Sequence, residues 1–243
     1  MKAFVAGVDG CRAGWLVVLR RLDTAEPPRA LIVDTFADIL ALPDAPRIIA
    51  VDMPIGLPER SGPGGRPADI EARAKLGARR SSLFALPSRA AVMCEDYAQA
   101  CAVAHAHSDP PRKVSKQMFH LFPKIREIDC LMTPALQERV VECHPEVAFW
   151  AMNGETALDQ PKKVKSRPNE PGLALRRNLL AAAGFPRAFL EAKHFRSSHA
   201  GPDDLLDACA CAVTAARIAA GRARRFPAEP QRDARGLRQE IWA

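Results

Sequence analysis

Residues 3–22, AFVAGVDGCRAGWLVVLRRL, read as two apolar runs joined by a glycine-bounded turn. AFVAGVD at 3–9 is a strand closed by an acid, Asp9. Gly10 and Gly14 then mark a tight turn, and WLVVLRRL at 15–22 is the next strand. Short apolar runs bounded by turn residues fit strands better than helices. Working outward, Glu26, Pro27 and Pro28 form a second turn, and ALIVDTF at 30–36 is a third strand. Three short strands joined by short turns predict an antiparallel meander. Thr35, with Asp38 three residues on, caps a helix over about 35–42, which Pro43 and Pro46 stop. RIIAVDMP at 47–54 is a strand of the fully buried kind that ends at Asp52, before a loop enforced by Pro54 and Pro58.

Beyond it, SGPGGR at 61–66 is turn-rich, 69–78 is helical, and 79–92 reads as an irregular arm or lid. Helical patterns follow at 93–107 and from about 116 to 122, and Thr133-Pro134 starts another short helix. Residues 139–142 form a short strand ending at Glu142. LDQPKKVKSRPNEPG at 158–172 is a basic, proline-containing loop, and 173–184 is a helix closed by Gly184. DDLLDACACAVTAARIAAG at 203–221 is the clearest helix, its small and apolar residues suited to burial on a sheet.

The chain has 243 residues, 48% of them hydrophobic, with seven cysteines in no CxxC pair and a formal charge of +7. That length suffices for one large core, and the odd cysteine count in a chain of this size argues for reduced thiols. No apolar run reaches membrane-spanning length, and the N-terminus enters MKAFVAGVDG without a signal-like segment. The expectation is a cytoplasmic protein with no membrane partner. Much of the positive charge is arginine, whose planar fork suits phosphate, so nucleic acid or another phosphate-bearing substrate is the expected partner. Oligomeric state is not legible. Gly7, Gly10 and Gly14 lack the spacing of a dinucleotide fingerprint.

The acids carry the chemistry. Asp9 and Asp52 end strands, where open sheets present ligand groups. Asp204 and Asp207 lie three apart on one helix face, and Glu142 ends another strand. A lone aspartate after a strand is commonly a turn or cap residue. Several converging carboxylates are costly unless a cation offsets their repulsion. Oxygen donors of this kind suit Mg2+ or Mn2+, which activate water and stabilise a leaving oxygen in phosphodiester cleavage. The expected catalytic and metal-binding set is therefore Asp9, Asp52, Glu142, Asp204 and Asp207.

Seven segments in order resemble the RNase H-like nuclease family known as domain of unknown function 429. They are GVDGCRAGW at 7–15, VDMPIGLP at 51–58, GGRPADIEARAKLGARRSSLFALP at 64–87, SKQMFHLFPKIREID at 115–129, ECHPEVAFWAMNG at 142–154, KKVKSRPNEPGLALRRNLL at 162–180 and DDLLDACACAV at 203–213. The resemblance implies an α/β, ribonuclease H-like fold. Its central five-stranded mixed sheet is flanked by helices, with Asp9 on the first strand and Asp52 on the fourth. It further implies a single domain over 1–243, with an insertion at about 59–135 and the basic loop at 158–172. The helix of Asp204 and Asp207 resembles the acidic C-terminal helix of Holliday-junction resolvases. ECHPE and the long insertions depart from simple ribonuclease H enzymes, which leaves the substrate open.

Basic groups offer phosphate contacts. Arg66, Arg73, Arg79, Arg80 and Arg89, with the hydroxyls of Ser81 and Ser82, follow Asp52. Lys116, Gln117, Lys124 and Arg126 form a second wall, and Lys162, Lys163, Lys165 and Arg167 lie in the basic loop. Surface solubility and pairing with nearby acids are the competing account. His144 can serve as ligand, acid or base, or turn residue. The expected function is metal-dependent hydrolysis of DNA or RNA. The alternatives on the same fold are a non-cleaving nucleic-acid or phosphorylated-ligand binder, and a phosphate-ester hydrolase or phosphotransferase.

Overall fold

The computed structural model describes residues 4–24, 26–165 and 167–243. Ala3, where the first strand was expected to begin, lies outside them. The strands are β1 (Phe4–Cys11), β2 (Gly14–Arg21), β3 (Arg29–Val33), β4 (Ile49–Val51), β5 (Val140–Glu142), β6 (Lys163–Val164), β7 (Arg167–Pro168), β8 (Arg225–Phe226) and β9 (Ile241–Trp242). The helices are α1 (Phe36–Leu40), α2 (Pro67–Ala74), α3 (Arg89–Val92), α4 (Tyr97–Ala106), α5 (Lys116–Phe119), α6 (Phe122–Leu131), α7 (Pro145–Met152), α8 (Glu170–Ala182), α9 (Arg187–Glu191) and α10 (Pro202–Ala219).

Five strands form a mixed sheet in the order β3-β2-β1-β4-β5. The first three make the expected antiparallel meander, and β4 and β5 join parallel to β1. This is an RNase H-like α/β arrangement with additional helical insertions. Gly14 is required where it stands: its φ is +124°, and a Cβ there would lie 2.3 Å from the Val33 carbonyl oxygen.

Strand alternation divides the core in two. Val8, Trp15, Val17 and Val51 face one layer, with Phe122, Ile125 and Ile128 of α6. Val5, Leu16, Val18 and Ala50 face the other, packed on α7, α8 and α10. All seven cysteines are free and only Cys130 is exposed. Among the described residues no helix is long and apolar enough to cross a membrane.

Several boundaries differ from expectation. β3 stops at Val33 because Thr35 turns to capping: its hydroxyl accepts from the Asp38 amide at 3.2 Å, and Asp38 accepts from the Thr35 amide at 3.0 Å. The helix expected from residue 93 starts at Tyr97, where the Asp96 side chain accepts from the Gln99 amide at 2.8 Å. The helix expected over 116–122 ends at Phe119, and α6 begins anew with Pro123 in its first turn, where a missing N–H costs nothing. The basic loop contains the β6–β7 hairpin, and α8 begins at Glu170 rather than 173.

Candidate metal centre

Asp9 shares a strand face with Val5 and Gly7, the face that α10 covers. It lies two residues before the end of β1, whereas Asp52 follows β4 directly, its amide donating to the Val8 carbonyl at 2.9 Å. The two acids therefore stand side by side on parallel strands. Gly7 lets the third approach, because only a residue without Cβ admits the α10 backbone at this distance. One carboxylate oxygen from each of Asp9, Asp52 and Asp207 then lies within 4.8 Å of the others.

The cluster is electrostatically strained. Burial pushes the Asp9 carboxyl well above the usual range, and the neighbouring Asp52, Asp207 and Asp204 add to it, with Lys162 opposing. Burial lifts Asp52 and Asp207 to about 7 in each case, again against Lys162. Lys162 is the compensating cation: its Nζ donates to Asp207 Oδ2, while Oδ1 of the same carboxylate is buried without a hydrogen-bond partner among the described residues. Asp207 itself is 2% exposed. A buried carboxylate oxygen without a partner, among three converging acids, is what a divalent cation with oxygen preference would satisfy.

The other two expected ligands are not brought to this point. Glu142 ends β5, but its oxygens accept from Arg66 at 2.9 and 2.6 Å and from the Ile55 amide at 2.8 Å. Asp204 lies in the first turn of α10, where its Oδ2 accepts from the Gly201 amide at 2.8 Å.

A cavity of about 220 Å³ opens beside the cluster, lined by Asp9, Asp52, Ser82, Lys124, Glu142 and His144 and walled by apolar side chains including Met53, Phe84 and Leu121. His144 Nε2 lies 3.2 Å from the Ser82 carbonyl oxygen, a contact that assigns the proton to Nε2. Nδ1 is thus an acceptor, buried and without a partner among the described residues. Burial pushes the imidazole below its ordinary value, so it is neutral near pH 7. Lys124 Nζ donates to the Gly14 carbonyl at 2.6 Å and sits 4.2 Å from the Trp15 ring centre. Its burial lowers the ammonium pKa, with Glu127 and Asp9 among the opposing charges.

The remaining basic candidates divide by partner. Arg66 is 2% exposed and gives its donors to Asp69, Glu142 and the Ile55 and Gly56 carbonyls, although it also borders the cavity. Arg73 ties the arm to the Leu83 and Gly64 carbonyls at 3.0 and 2.7 Å. Arg79 has its Nε buried without a partner among the described residues, and its carbonyl accepts from Ser82 Oγ. Arg80, Ser81, Lys116 and Gln117 are exposed and lie outside the cavity lining. Lys163 pairs with Asp203 at 2.6 Å, an acid one turn before Asp207 whose charge acts on it. Lys162 was legible only as one of several basic residues in its loop, since its partner is 45 positions away. Arg89 pairs with Asp129 at 3.2 Å and with Asp233, joining the arm to the C-terminal segment.

A family model described as "Protein of unknown function (DUF429)" matches residues 7–232. No curated protein and no solved structure matches the chain.

Proposed function

The chain belongs to the DUF429 family, and from that premise we propose that it is a divalent-metal-dependent nuclease acting on DNA or RNA. The observation that carries the reading is the convergence of Asp9, Asp52 and Asp207 around an unpartnered Asp207 Oδ1. Their all-oxygen donor set suits Mg2+ or Mn2+. Such an ion, when bound, supplies Lewis acidity toward a phosphoryl oxygen and a more acidic water.

The chain's own groups divide the remaining work. Asp9, Asp52 and Asp207 would hold the ion, with Asp204 shaping their field from the preceding helical turn. His144 offers an unprotonated Nδ1 in the cavity wall, where it can take a proton or orient a hydroxyl. Lys124 and the Ser82 edge of the arm would face the phosphate. Glu142 and Arg66 would act as scaffold, fixing the loop after Asp52, while Arg73 and Arg79 would shape the arm. Arg80, Ser81, Lys116, Gln117 and Lys163 are left as outer contacts to a longer phosphate backbone.

A second reading, phosphate-ester hydrolysis on a nucleotide-sized ligand, is favoured by the cavity. About 220 Å³ with apolar walls fits one small ring system rather than a duplex. Purified protein incubated with Mn2+ or Mg2+ and single-stranded, duplex, hybrid and branched DNA and RNA tests the first reading, with the Asp9→Asn variant in parallel. Cleavage by wild type alone supports it. Release of phosphate from mononucleotides, with polymers untouched, selects the second. Absence of both overturns hydrolysis and leaves binding.

A further inference from the structure

Lys162 occupies the position where the acidic cluster most needs positive charge. Its Nζ is bonded to Asp207 Oδ2, and Asp9 and Asp52 act on it in addition to Asp207. It is the cation paired with Asp207, while the neighbouring Lys163 is paired with Asp203. We propose that Lys162 is a built-in competitor of the metal: its ammonium neutralises the cluster in the metal-free protein and leaves Asp207 when a divalent ion binds. This rests on the metal reading of the site.

The backbone around Lys162 is anchored, so the exchange is a side-chain swing rather than an opening of the loop. The Gln160 carbonyl accepts from Arg176 at 2.9 Å, the Pro161 carbonyl accepts from Asn169 Nδ2 at 2.7 Å, and the Lys162 carbonyl accepts from the Asn169 amide at 2.9 Å. Gly172 presses on the same strip, where a Cβ would lie 1.9 Å from the Pro161 oxygen. Arg176 is itself fixed by Glu146 at 2.5 Å, both fully or nearly buried. The Lys162 side chain, by contrast, is 26% exposed, so solvent lies within reach of its swing. A tethered ammonium on Oδ2 and a divalent cation on Oδ1 of the same buried carboxylate would stand only a few ångströms apart, with strong like-charge repulsion. The displaced ammonium stays on its anchored backbone beside the cluster, available to a phosphate oxygen.

The experiment is calorimetric titration of Mn2+ alone into wild type, Lys162→Met, Lys162→Gln and Lys162→Arg, with folding checked by circular dichroism. Removing the competitor raises Mn2+ affinity roughly tenfold or more in the Met and Gln variants, as expected for loss of one close like charge. The Arg variant, which keeps the charge, stays within a few-fold of wild type. If wild type binds Mn2+ and the Met and Gln variants bind no more tightly, the competition is wrong and the metal site stands. If no variant binds Mn2+, the metal reading falls and the competition with it.

Discussion

Gly7 and Ala208 meet backbone to backbone: a Cβ on Gly7 would lie 2.0 Å from the Ala208 carbonyl oxygen. This contact sets the height of α10 above the sheet and hence the position of Asp207 one residue earlier. A methyl group there cannot be relieved by a rotamer change, since its neighbours are main-chain atoms.

Gly7→Ala is therefore expected to destabilise the fold by about 3 kcal/mol or more, at the upper end of overpacking costs. It should also weaken metal binding in whatever folded fraction remains. Urea denaturation measures the first and Mn2+ titration the second. A change below about 0.5 kcal/mol, the range of ordinary surface substitutions, would contradict the close packing.

Asp52→Asn is expected to stabilise the metal-free protein. The Asp52 carboxyl is raised by burial from 3.8 to about 7, so the folded state holds a proton that the unfolded chain releases. Wild type loses stability as pH rises between those values, and the loss is complete above the folded value. The asparagine variant has no such loss. The gain is small near pH 4 and reaches about 2–4 kcal/mol above pH 7, from 1.36 kcal/mol per pKa unit. Thermal melts with a chelator at several pH values read this directly. An advantage that shrank toward high pH would show that Asp52 is not strained.

The sheet was largely readable because its signals are local. Apolar runs around Asp9 and Asp52, the Gly14 turn and the Thr35–Asp38 box each lie within a few residues. What escaped depends on distance in sequence. Glu142 looked like a ligand because it ends a strand, but Arg66, 76 positions away, takes its oxygens. Lys162 read only as one more phosphate contact of the basic loop, with surface charge as the competing account, because Asp207 lies in another segment. The α6 helix escaped because Pro123 reads as a breaker unless it sits in the first turn.

Arg66→Met is expected to destabilise the protein by about 3–5 kcal/mol, because it strands Asp69 and Glu142, both buried, without their guanidinium. The measurement is chemical denaturation. A variant with wild-type stability but weakened phosphate binding would instead make Arg66 a substrate contact. Glu142→Gln offers a second view of the same pair: Mn2+ affinity changes less than threefold, below about 0.7 kcal/mol, if Glu142 supports the loop rather than the ion.

Metal binding should itself be pH-dependent. A divalent ion needs ionised carboxylates; burial holds those of Asp52 and Asp207 near 7 and raises Asp9 well above the ordinary carboxylate range. Each proton displaced makes affinity fall roughly tenfold per pH unit below its pKa. Mn2+ affinity therefore declines steeply from about pH 8 to pH 6, and binding releases protons, measurable by titration in buffers of different ionisation enthalpy. At a hundred times its dissociation constant, the ion adds about 2.7 kcal/mol to stability. That increment should disappear in Asp207→Asn, which removes one of the three converging carboxylates. An affinity unchanged across that pH range would mean that the ion binds elsewhere, at ordinary surface carboxylates already ionised throughout it.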